Sequence, residues 1–80
     1  MSEMQPNMEI LNRLRARLEE EGFDVVPYAN APHTYNVTRQ GQPHGWFNWH
    51  PYTEQWCGSQ GWLNVLLVEL YSEETRCLSL

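Results

Sequence analysis

From Met8 onward the apolar positions first recur at helical spacing. Met8, Leu11, Leu14 and Leu18, with Ile10 beside them, form one stripe at a period of 3.6 residues. Asn7 is a good N-cap and Pro6 suits a first turn, while Gly22 is a natural stop able to take positive φ. The pattern predicts a helix from Pro6 or Asn7 to Glu21, with Glu9–Arg13 and Arg17–Glu21 as i,i+4 pairs on its exposed side. The period then changes. Phe23 to Tyr28 reads as a short strand that Pro27 confines to an edge or ends, and Asn30-Ala31-Pro32 as a turn. Thr34 to Arg39 alternates cleanly as a strand, Gln40-Gly41-Gln42-Pro43 as a hairpin connection, and Trp46 to His50 as a further strand ended by Pro51. Tyr52 to Trp56 is expected to be extended.

Gly58-Ser59-Gln60-Gly61 interrupts the chain again, before an apolar run from Trp62 to Tyr71. As a helix this run places Leu63, Leu66, Leu67, Leu70 and Glu74 on one face, with Trp62 one step off it. As a strand it sets Leu66, Val68 and Leu70 against Leu67, Glu69 and Tyr71. Length, leucine content and Ser59 as a cap favour the helix. Together these elements predict an α+β fold: an N-terminal helix, a three- or four-stranded antiparallel sheet and a C-terminal helix, with a strand as the alternative for the last element. Residues 1–5 read as a flexible tail and 6–80 as a single small domain.

Eighty residues leave room for one thin core, and composition then narrows what it is for. Ten acids oppose five bases, all arginine, for a net charge of −5. An acidic body is a poor direct ligand for nucleic acid but suits a protein partner with a basic surface. No apolar run reaches the ~18 residues needed to span a bilayer, and the first residues lack the basic start and apolar stretch of a signal peptide. The cytosol, that of the host if the protein is phage-encoded, is the expected compartment. There Cys57 and Cys77 stay reduced, and Asn36-Val37-Thr38 is strand sequence and not a glycosylation site.

Candidate chemistry is thin. Gln55 and Cys57-Gly58-Ser59, with Trp62 following, resemble the nucleophile region of papain-like proteases only in part. Gln60 stands where a second cysteine belongs, and the chain cannot build two lobes. His33, His44, His50 and Cys57 match no metal-ligand spacing. Gly58-x-x-Gly61 lacks the lysine of a phosphate loop. No enzyme activity, cofactor or metal is expected.

What stands out is aromatic. Four Trp, four Tyr and two Phe fall in this chain, with all four tryptophans between positions 46 and 62, while Leu, Ile, Val and Phe make up only about a fifth of it. Alternation sets Trp46, Asn48 and His50 on one side of their strand and Phe47 and Trp49 on the other. One or two helices cover one side of such a sheet, so an aromatic set is expected to be left exposed. Stacking on single-stranded nucleic acid is opposed by charge, because residues 40–75 contain no Arg or Lys.

The expected function is therefore non-enzymatic protein binding. Trp46, Trp49, Tyr52 and Trp56 would anchor the contact. Two acidic groups, Glu19, Glu20 and Glu21 (three carboxylates at a helix C-terminus, against the dipole) and Glu69, Glu73 and Glu74, would engage an Arg/Lys-rich surface. Size and acidity fit small phage or mobile-element inhibitors, anti-CRISPR proteins among them, that occupy a nucleic-acid-binding surface of a host complex. The alternative is a self-associating structural or accessory domain, a homodimer with no foreign target.

Overall fold

The first helix, α1, runs Met8–Glu20 and is held at both ends by the residues its sequence marks. The Asn7 Oδ1 accepts from the Ile10 N–H at 3.1 Å, satisfying one of the free donors of the first turn. At the other end Gly22 takes φ +92°. The Gly22 N–H donates to the Glu19 carbonyl and the Phe23 N–H to the Leu18 carbonyl, the paired bonds of a Schellman motif. A computed structural model describes residues 6–78, with side chains through Glu74. The expected tail at 1–5 lies outside what is described. Ile10, Leu11, Leu14 and Leu18 are buried, whereas Met8, expected in the same stripe, is exposed at the helix start.

Four strands follow in a simple antiparallel meander: β1 Asp24–Pro27, β2 Thr34–Arg39, β3 Gln42–His50 and β4 Gln55–Gly58, in spatial order β1-β2-β3-β4. The second helix, α2, spans Gly61–Leu78, which excludes the strand reading of that run. The fold is α+β as expected, with four strands. Two boundaries differ from the sequence reading. β3 begins at Gln42 and not Trp46, because Gln40 and Gly41, both at positive φ, make the whole reversal by themselves. Pro51 to Glu54 form a turn closed by the Glu54 N–H on the His50 carbonyl (2.7 Å), so β4 begins at Gln55 and Tyr52 lies outside the sheet.

The early start of β3 is made possible by a bulge. Val37 pairs with Gly45 and Thr38 with Pro43, leaving His44 as the extra residue. The bulge turns His44 onto Phe23, edge to face at 5.4 Å. Gly45 holds φ +147°, and a Cβ there would come within 3.0–3.3 Å of Gln60, Leu63 and Ser59.

Both helices cover one face of the sheet. Val25, Val37, Phe47, Trp49 and Trp56 join the α1 leucines and Leu63, Leu67 and Leu70 of α2 in one apolar cluster. Phe47, Trp49, Trp56 and Tyr35 pack ring on ring, at centroid distances of 5.4–6.0 Å. The free edge of β4 is closed by α2: the Trp56 N–H donates to the Tyr71 hydroxyl (3.0 Å), and the Asn64 amide bonds both the N–H and the carbonyl of Gly58 (2.8 and 3.0 Å). The opposite edge is β1, shortened by Pro27 as the sequence predicts. Ser59, expected to cap α2, instead prolongs the sheet. Its N–H donates to the Trp46 carbonyl and its Oγ accepts from the Trp46 N–H.

Candidate functional site

The face of the sheet without helices holds two uncharged cross-strand rows. Val26, Asn36 and Trp46 form one; Thr34, Asn48 and Cys57 form the next. Trp46 is 46% exposed. It walls a groove of about 400 Å³ shared with Tyr28, Ala31, Thr34, Asn36 and Asn48. Asn48 Oδ1, like Trp49 Nε1 on the other side of the strand, is buried with no hydrogen-bond partner among the described residues.

The second exposed apolar surface belongs to α2. Apart from Asn64, its first half through Val68 is apolar on every side, and only the Leu63, Leu67, Leu70 side faces the core. Trp62 (40% exposed), Val65 (60%) and Val68 (64%) remain outside. Trp62 stacks on Phe23 at 5.2 Å, and the Arg39 guanidinium carbon lies 4.1 Å from the centroid of the Phe23 ring. A groove of about 260 Å³ between the C-terminal turn of α1 and α2 is floored by Phe23, Trp62, Val65 and Leu66 and rimmed by Glu21 and Glu69, with Arg17 between.

The carboxylates expected to act together occupy different settings. Glu19, Glu20 and Glu21 are exposed at the end of α1. Their position against the helix dipole is relieved by Arg39, which donates to the Glu21 carbonyl, and by Arg17 in the last turn. Arg17 is not paired with Glu21. It reaches across to α2, 3.8 Å from Glu69 and 3.6 Å from Glu73, while the Glu9–Arg13 pair forms as expected at 3.3 Å. Glu74 accepts from the Asn7 amide at 3.4 Å, inside the fold's own network.

The aromatic anchors also divide. Trp49 and Trp56 are buried, stacked edge to face against each other, and contribute to the core and not to a contact surface. The reason is the pleat: both point to the face that the helices cover. Tyr52 is 98% exposed on the Pro51–Glu54 turn, away from the sheet rows. Trp46 alone of the expected anchors lies on a broad open face, and the acidic residues lie on the helix layer behind it. Trp62, Val65 and Val68 went unassigned in the sequence reading. The signal for them was present in an α2 apolar on more sides than one core can use.

Burial pushes the Tyr71 phenol above its ordinary value, against the lowering effect of the Trp56 N–H it accepts; Glu74 and Cys57 add to the rise. Tyr71, Cys57 and Gln55 line a groove of about 620 Å³ between β4 and α2. Cys57 sits on β4 opposite Asn48, and His50 is paired with Gln55. His33 lies at positive φ in the β1–β2 connection. No group of three or more His, Cys, Asp or Glu side chains able to hold a metal occurs among the described residues, and no helix there is long and apolar enough to cross a membrane. The chain matches no protein-family model, no curated protein and no solved structure.

Proposed function

We propose that this protein is a non-enzymatic binding module that docks on a basic protein surface through the outer side of α2 and the adjoining end of α1. One observation carries the reading: Trp62 and Val65, exposed on α2, share a groove with Glu21 and Glu69, an apolar centre with acid at its edge, and Glu20 and Glu73 line the next groove between α1 and α2. Such a centre loses water on contact and supplies residence time, while the rim steers an Arg/Lys-rich partner into place. Arg17 holds Glu69 and Glu73 on the rim without cancelling the surplus of acid. Phosphate-binding surfaces are rich in arginine and lysine. A host protein whose nucleic-acid site is occupied by this face would be inhibited, and the cytosol is where such partners are met.

The test is affinity capture from host cells with the immobilised wild-type chain, beside Val65→Asp and the double variant Glu69→Lys/Glu73→Lys. Both changes fall on exposed positions, and unaltered circular dichroism establishes that the fold is kept. A partner retained by the wild type, released by salt and lost with both variants supports the reading. Equal retention by all three proteins overturns it.

A further inference from the structure

We propose that two copies of this chain pair through the helix-free face of the sheet about a two-fold axis, each Trp46 entering the groove beside the other copy's Asn48. Charge is the first argument. The chain carries −5, yet the two central rows of this face, from Val26 to Trp46 and from Thr34 to Cys57, contain no charged side chain. Asp24, two residues from Val26 on β1, sits at the corner of this face; the helix-layer carboxylates of two copies meeting here turn outward, beyond most of the reach of screened repulsion.

Area is the second argument. Four strands ~4.8 Å apart, paired over six positions between β2 and β3, give this face on the order of 400 Å², which suits a weak, reversible pairing below the ~800 Å² per partner of a standard interface. Sheets stack face to face with their strands turned about 30° from one another, which twisted copies of one sheet accommodate.

Shape is the third. An interface about a two-fold axis uses one patch twice, so it must hold both a projection and its recess. Trp46 projects from the same face that holds the groove of Tyr28, Asn36 and Asn48. Asn48 Oδ1 is buried with no donor among the described residues, so an amide rotation that brings it out to accept from the partner's indole N–H breaks no hydrogen bond of that oxygen there. A dimer so formed leaves both α2 faces outward, offering two docking sites on one particle.

Sedimentation velocity over a micromolar dilution series tests the proposal on the full chain. A reversible monomer–dimer equilibrium is expected, insensitive to added salt. Trp46→Asp and, independently, Asn36→Arg should each weaken it by about thirty-fold or more, with circular dichroism unaltered. Val65→Asp, on the other side of the molecule, should leave it unchanged. A chain that stays monomeric at the highest concentration overturns the proposal, as does dimerisation that survives both sheet-face variants or is lost with Val65→Asp. If the chain is monomeric while Trp46→Asp releases a captured protein, the face belongs to that protein and the dimer is refuted.

Discussion

Trp49 and Trp56 face each other across β3 and β4, but their indole N–H groups have opposite fates. Trp56 Nε1 donates to the Asn7 carbonyl at 2.9 Å, tying the sheet to the residue that caps α1. Trp49 Nε1 is buried without an acceptor among the described residues. A buried bond contributes about 1 kcal/mol, and an orphaned donor costs a similar amount or more. Replacing either ring by phenylalanine removes similar volume, so the difference reports the hydrogen bond. Trp56→Phe should destabilise by about 1 kcal/mol or more beyond Trp49→Phe, read from urea midpoints at constant slope. Composition revealed that the core must be aromatic. It did not separate these two rings from Trp46, because the sign of a strand position is set by what packs on the sheet.

Between elements, the contact of α2 with β4 sets the geometry. A Cβ on Gly58 would lie 2.6 Å from the Leu63 Cβ, so the helix can settle this closely only on a glycine. Tyr71 and Asn64 then reach the outward backbone groups of β4. Tyr71 makes this edge sensitive to alkali. Its folded pKa lies above the unfolded one, so its contribution is complete below about pH 10 and is lost as pH rises from there through the folded value. Tyr71→Phe should cost about 1 kcal/mol at neutral pH, where the Trp56 N–H loses its acceptor. It should also flatten the loss of stability above about pH 10, measured by urea titration at each pH.

For the whole molecule, what matters is that the helix-layer carboxylates and the uncharged rows around Trp46 lie on opposite sides of a two-layer body. If the helix layer meets a basic partner, the association rate should fall by about ten-fold or more between low and physiological salt, with dissociation much less affected. Stopped-flow measurements against the captured partner check this. A rate indifferent to salt would remove the steering role of Glu20, Glu21, Glu69 and Glu73. The same titration should leave pairing through the Trp46 face unmoved, since no charged side chain lies in its central rows.

Several features were fixed by neighbours a few residues apart: the Asn7 and Gly22 ends of α1, the Thr34–Arg39 strand, the Trp46–His50 alternation and the edge position of Pro27. Caps, turns and periods act over one turn or one pleat, so the residues announce them. Packing alone decided the rest. It chose Arg39 to cap α1, sent Arg17 to α2 and placed the bulge at His44. It also buried one side of an α2 that is apolar on several, and put the helix carboxylates and Trp46 on opposite faces. Each of these outcomes depends on residues far apart in the chain meeting in space, and on which surfaces remain once one thin core has been filled.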